Sequence, residues 1–357
     1  MALFDKMLSS NESLFKDEIA LSFDYIPKIV PYREAQQRHI ASCIAPLFSK
    51  RNGKSLFISG RPGIGKTVAV RHVLGEVEEK TDDIIPLYIN CWQKNTSFKI
   101  AIELCEQLGY KLTMNKRTDE LFSIAKQMLN KKECVLVFDE VDKLEEFDIL
   151  YHILEEVYRR AVIIITNGKE WLGNLDERLR SRLSTEVLEF RPYTQSETDG
   201  ILRQRIQYAF VAGIWEPEAI SLVSERTSQL QDIRSGLFLL KEAGEIAEAK
   251  ASRKITLDHA REAITKLADF EINSSQDLDT DAKKVLDIIK GEQSEIKSGD
   301  LFRKYQEAGG TASYKTMHRT IKKLEQGKLI TLRKVEGGKE GTTSLIRLNT
   351  VKKLTEF

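Results

Sequence analysis

Eight consecutive residues constrain this chain more than any other feature: Gly60-Arg61-Pro62-Gly63-Ile64-Gly65-Lys66-Thr67, a GxxxxGK[ST] pattern. The apolar run SLFIS precedes it, and a stretch with Val70, Val73, Leu74 and Val77 at helical spacing follows it. A strand that ends in such a loop and opens into a helix turns backbone N–H groups onto one point. Glycines leave room for phosphate where a Cβ would obstruct it, and the helix N-terminus adds its dipole. Lys66 is then placed for the β- and γ-phosphates, and the Thr67 hydroxyl for magnesium. Gly60 through Thr67, with Val68 behind them, are the expected contacts for ATP or ADP. The flanking strand and helix weigh against a glycine-rich turn that holds nothing.

Four short runs rich in β-branched and aromatic residues, SLFIS, IIPLYIN, CVLVF and AVIIIT, alternate with helical patterns between about Ile29 and Pro192. Such alternation predicts an α/β fold with a parallel sheet covered on both faces. CVLVF ends at Asp139-Glu140. At that strand tip Asp139 would hold magnesium through water, and Glu140 would act on the attacking water as general base. The next strand ends at Asn167, which either orients that water or merely forms a turn. Arg178, Arg180 and Arg182 surround a short helical segment. Arg182 is the candidate for a finger on the γ-phosphate of a neighbouring subunit; the competing reading is a solvated basic face. Arg234 opens a helix further on and is positioned to reach the γ-phosphate from a lid.

The 357 residues divide into an N-terminal arm or surface strap (1–25), the nucleotide-binding α/β domain (26–194), and a helical lid (195–268). A linker (269–280) and a C-terminal domain (281–357) follow. Helix starts in the lid are signalled by Ser196, Pro217 and Thr256. Net charge is only +1, but from Asp281 to Phe357 there are 17 Lys and Arg against 10 Asp and Glu, leaving −6 on everything before. Any polyanionic partner therefore belongs to the tail. The four cysteines show no CxxC spacing, which favours buried reduced thiols over a zinc cluster. No apolar run suits a membrane span and no secretory signal is visible, so a cytoplasmic, nucleoid-associated protein is expected.

The tail reads as three helices and a β-hairpin, the winged-helix layout. Its third helix offers Ser313, Tyr314, Lys315, His318, Arg319 and Lys322, with Lys334 on the first hairpin strand and Lys339 at the tip Glu336–Gly341. One reading puts that helix in a DNA major groove with the tip tracking phosphates. The others are a solvated helix and a protein-docking face.

Together these residues resemble the archaeal origin-recognition and cell-division-control type initiators, which are AAA+ ATPases with a C-terminal winged helix. Pro31-Tyr32-Arg33-Glu34 is similar to that family's P-H-R-E box beside the adenine, with Tyr32 where His is usual. Tyr88-Ile89-Asn90-Cys91 resembles its N-C strand, and Asp139-Glu140-Val141-Asp142-Lys143-Leu144 its D-E-x-D-x-L segment. Arg178 to Leu183, then Arg191-Pro192-Tyr193-Thr194, resemble its arginine-finger segment and P-Y-T, and Asp232-Ile233-Arg234 its sensor-2 helix. The resemblance implies that Pro31, Tyr32 and Tyr193 border the nucleotide. It further implies an ATP-bound initiator on double-stranded origin DNA, with slow hydrolysis as a state switch. The implied partners are the replicative helicase or other initiator subunits, met as a monomer or a DNA-dependent oligomer. A further DNA-contacting helix is expected within Asn95–Phe122. A nucleotide-gated transcription or plasmid-maintenance regulator would use the same parts.

Overall fold

Five strands, all parallel, lie in the order β2-β3-β4-β1-β5: β1 Leu56–Ser59, β2 Ile84–Asn90, β3 Glu133–Asp139, β4 Arg160–Thr166 and β5 Glu186–Glu189. The computed structural model describes residues 13–273, 284–285, 287–289, 295–310, 313–326, 330–335 and 343–348. β1 and β3 are buried at every position, as their unbroken apolar runs require of strands covered on both faces. Pro86 is tolerated in β2 because that strand pairs only with β3 and has a free edge. Four of the five strands coincide with the apolar runs SLFIS, IIPLYIN, CVLVF and AVIIIT. β5 matches none of them, because the strand is four residues long, lies at the opposite edge and is only half buried.

Helices α1 (Glu34–Ile44) and α2 (Lys66–Lys80) cover one face, meeting Leu56, Ile58, Val135, Val137, Ile163 and Ile165. On the other face, α3 (Ser97–Gln107), α4 (Thr118–Leu129), α5 (Asp148–Glu156) and α7 (Glu177–Leu183) close over Phe57, Leu87, Leu136, Phe138, Val162 and Ile164. The short α6 is Glu170–Gly173. Segment 95–122, where an extra helix was expected, holds α3, the start of α4 and a connection that leaves Leu112 and Met114 exposed.

Four helices follow: α8 (Gln195–Ala209), α9 (Pro217–Leu230), α10 (Ile233–Ala249) and α11 (Leu257–Asn273). Pro217 occupies the first turn of α9. α8 starts ahead of the expected Ser196, because Thr194 caps it and Glu197 returns the bond to the Thr194 N–H. Residues 13–22 strap this helical layer: Lys16 N–H donates to the Ala209 carbonyl, the Phe15 ring lies tilted against Phe210 at 4.7 Å, and Glu248 accepts from Ser13 and from the Leu14 N–H.

The chain separates into two compact units, Met1–Ala263 and Ile264–Phe357. The first five residues of the expected linker are helical instead, since α11 meets no Gly or Pro before Asn273; residues 274–280 lie outside the described residues. In the second unit, α12 (Ser298–Glu307) and α13 (Tyr314–Gln326) pack on a three-stranded sheet, β6-β8-β7. β6 (Ile296–Lys297) and β7 (Ile330–Val335) both run antiparallel to β8 (Thr343–Leu348). Val285, Leu301, Met317, Ile321, Leu324 and Ile346 form its core. No helix among the described residues is long and apolar enough to cross a membrane.

Candidate nucleotide-binding site

The loop after β1 meets the tips of β3 and β4 in a cleft of about 550 Å³, outside the carboxyl ends of the strands. Gly63 and Gly65 have φ of 71° and 85°, and a Cβ on either would strike the Asp232 carboxylate or the Tyr193 hydroxyl. Only glycine therefore lets the loop pass between the sheet and α10. α10 is tied to it directly: Ile233 N–H donates to the Gly63 carbonyl at 3.1 Å, and Arg61 donates to Gln231. Asp232 caps α10 by accepting from Arg234 N–H at 2.8 Å, which leaves the Arg234 side chain lining the cleft.

Lys66 is only 6% exposed. Its Nζ donates to the carbonyls of Gly60 (2.5 Å) and Arg61 (2.8 Å) and to Asn167 Oδ1 (3.1 Å). Burial pulls its pKa down to about 8, against the nearby Asp139 carboxylate, which raises it. Thr67 Oγ1 donates to Asp139 Oδ2 at 2.5 Å, and Glu140 N–H donates to Asp139 Oδ1 at 2.9 Å. Hydroxyl and carboxylate oxygens this close form a hard, oxygen-only donor set, which fits a magnesium ion. Glu140 holds a left-handed backbone (φ 55°), a costly conformation for glutamate that turns its carboxylate into the cleft. Burial, and secondarily the neighbouring Asp139, raises the Glu140 pKa.

Of the residues expected here, Pro31, Gly63, Gly65, Lys66, Thr67, Val68, Asp139, Glu140, Asn167, Tyr193 and Arg234 all line the cleft. Gly60, Arg61, Pro62 and Ile64 shape the loop without lining it. Ile64 is buried, with its carbonyl accepting from Arg33 Nε and Nη2. The structure removes Tyr32 from the cleft wall: its backbone turns to φ 63° and its hydroxyl end lies against Gly200 of α8. Arg182 also stands away from the cleft, pairing with Glu155 at 3.0 Å and covering the Tyr151 ring.

Among the residues given no role in the sequence, two are tied directly to the loop and to Asp139. Arg33, wholly buried, joins the Ile64 carbonyl to the Arg191 carbonyl and stacks 3.8 Å from the Tyr193 ring. A guanidinium so deeply placed is retained through its carbonyl partners and its aromatic face. Tyr88 donates its hydroxyl to Asp139 Oδ2 at 2.8 Å, under the Arg71 guanidinium. Both belong to recognisable motifs. The signal was their neighbourhood to the loop and to Asp139, which only the strand register reveals.

On α13, Ser313 accepts from the Thr316 N–H and caps the helix, and Arg319 is exposed. Tyr314 is drawn into packing, edge-on to Phe302 with its hydroxyl on Ser298, and His318 is half-buried beside it. Lys315 and Lys322 belong to α13 and Lys334 to β7, whereas Lys339 and the expected hairpin tip lie outside the described residues.

Residues 50–171 match the AAA domain family, and residues 199–265 match the Cdc6 AAA+ ATPase-type lid domain. The ORC1-type DNA replication protein 1 of Sulfurisphaera tokodaii is 30% identical, over 97% of this chain and 93% of its own length. Its namesake in Sulfolobus acidocaldarius is also 30% identical, over 97% and 93%. Among solved structures, the Aeropyrum pernix ORC1 protein in complex with DNA is 25% identical, with a TM-score of 0.82 over 96% of this chain and 95% of that one. Matching the AAA domain and the Cdc6-type lid, and spanning nearly the full length of such relatives at 30% identity, the chain belongs to the family of ORC1-type DNA replication proteins.

Proposed function

We propose that this protein is an ATP-dependent replication initiator that binds double-stranded origin DNA and helps to recruit the replicative helicase or further initiator subunits. The observation that carries the reading is the hydrogen-bonded group of Lys66, Thr67, Asp139 and Asn167 at adjoining strand tips. Magnesium, when bound, would draw charge from the β- and γ-phosphates. Thr67 and Asp139 would hold that ion, and Lys66 would exchange its loop carbonyls for phosphate oxygens. Glu140 takes the proton of the attacking water, which Asn167 orients. Arg234 carries the state of the γ-phosphate to α10, so lid position follows nucleotide state. Arg182 serves a neighbouring copy's cleft, which accounts for its place on an exposed flank. Hydrolysis is slow and resets the protein, while ATP acts chiefly as a conformational ligand.

The second unit is a winged helix. Lys315, Arg319 and Lys322 on α13 face the major groove, while Lys334 and Lys339 follow the wing along phosphates. The ORC1 protein solved with DNA, similar over almost the whole chain, supports this reading. Mapping the DNA bound in cells is the test. Origin-adjacent repeats are expected, occupied in an ATP-dependent way; occupancy confined to promoters would replace replication with transcriptional regulation.

A further inference from the structure

A second group of donor atoms sits at the start of β5, the end of that strand remote from the cleft. His39 and Cys43 stand one turn apart on α1 and so share a face. Glu186, the first residue of β5, meets both: His39 Nε2 lies 2.8 Å and Cys43 Sγ 3.9 Å from Glu186 Oε2. The three ligand atoms all fall within 4.8 Å of one another. Lys54 Nζ holds the other carboxylate oxygen, Oε1, at 2.8 Å. None of the four residues contributes to the nucleotide cleft.

We propose that His39, Cys43 and Glu186 bind a transition-metal dication of the zinc type, with water as the fourth ligand. Imidazole nitrogen, thiolate sulfur and carboxylate oxygen are the donors such an ion takes, and three protein ligands plus water complete a tetrahedron. One thiolate and one carboxylate neutralise the dication. The metal replaces the Cys43 thiol proton, which leaves to water, and His39 binds as the neutral ring through Nε2. Cys43 is fully buried, while the His39 and Glu186 side chains keep about a third of their surface exposed (35% and 39%), so the ion has a way in. Lys54 is the outer partner that fixes the carboxylate, the role hydrogen-bonded neighbours play around metal ligands.

The consequence is mechanical. Arg33, just ahead of α1, reaches the Arg191 carbonyl just beyond β5. A metal on His39, Cys43 and Glu186 strengthens the link that the His39–Glu186 contact already makes between the same two elements at the other end of β5.

The test uses the full chain, metal-free and reduced, titrated with Co2+ in excess Mg2+. A thiolate-to-cobalt charge-transfer band should saturate at one equivalent and vanish on adding Zn2+. Cys43→Ser should abolish the band, and His39→Gln, at a part-exposed position, should weaken Co2+ binding by about tenfold or more. Absence of the band in the wild type, or its survival in Cys43→Ser, overturns the proposal. Should Cys43→Ser fail to fold, His39→Gln decides alone: unchanged Co2+ affinity overturns it and weakened affinity supports it.

Discussion

The nucleotide cleft and helix α13 put charge to opposite uses. In the cleft, Lys66 and Asp139 are withdrawn from water and fixed by named partners at hydrogen-bond distance, with Glu140 half-buried beside them. On α13 the basic residues share a helix that packs Met317, Ile321 and Leu324 into the core and leaves Arg319 in solvent. A buried charge acts through its position, so exchanging one atom changes the chemistry. An exposed charge acts through its number, so its effect is graded and screened by salt. Hydrolysis should therefore fail in discrete steps as the cleft is altered, and DNA binding should decline smoothly as α13 is altered.

The largest expected effect lies at Glu140. Glu140→Gln keeps the shape, and the backbone N–H that donates to Asp139, while removing the base. Single-turnover hydrolysis should fall by about 10²–10⁴-fold, with MgATP affinity from calorimetry nearly unchanged. Equal hydrolysis rates for the two proteins would take Glu140 out of the chemistry.

Next comes the pH dependence of nucleotide binding. Burial holds the Lys66 ammonium at about 8 in the free cleft. A triphosphate requires the charged form and raises that pKa. Below pH 8 the proton is already present, so affinity should be flat. Above pH 8 every binding event must also take up a proton, and affinity should fall by up to about tenfold per pH unit. Calorimetry in two buffers of different ionisation enthalpy would show the uptake. Lys66→Met should bind weakly, without the slope.

The exposed face should respond less and differently. Arg319→Glu is expected to lower DNA affinity several-fold and to reduce the slope of log affinity against log salt by about one for each phosphate the side chain no longer neutralises. Anisotropy with duplex DNA at several salt concentrations measures both. Arg319→Glu with affinity and slope unchanged would mean that α13 meets a protein instead.

The same contrast decides what was legible from residues alone. The loop around Lys66 and the acids after β3 could be read because each lies within one strand–turn unit, where local pattern and chemistry coincide. α13 could be read because its apolar stripe, Met317, Ile321 and Leu324, leaves the basic face by subtraction. Tyr88 and Arg33 could not, because their partners lie 51 and 158 residues away and depend on strand order. The place of Tyr32 off the cleft wall could not be read for a related reason: its backbone has a positive φ, and its hydroxyl lies against Gly200 on a helix far along the chain. β5 was missed altogether, so Glu186 could not be seen to meet His39 and Cys43.

The smallest effect is also the sharpest probe of the buried region. Tyr88→Phe removes one hydroxyl and keeps the ring beneath Arg71. Register pairs Tyr88 with Val137 and Asn90 with Asp139, so the tyrosine reaches Asp139 from two residues back along the neighbouring strand. Its bond to a carboxylate would be worth about 1.5–3 kcal/mol in isolation. Thr67 and the Glu140 N–H also hold Asp139, however, so the carboxylate keeps most of its orientation. The Mg2+ concentration for half-maximal hydrolysis should therefore rise only about three- to tenfold, with the rate at saturating Mg2+ unchanged. That split separates a residue that positions the metal ligand from one that merely packs, since a packing defect would lower stability and rate together. If half-saturation does not move, Thr67 and the backbone suffice to aim Asp139, and the cleft is less finely fixed than its hydrogen bonds suggest.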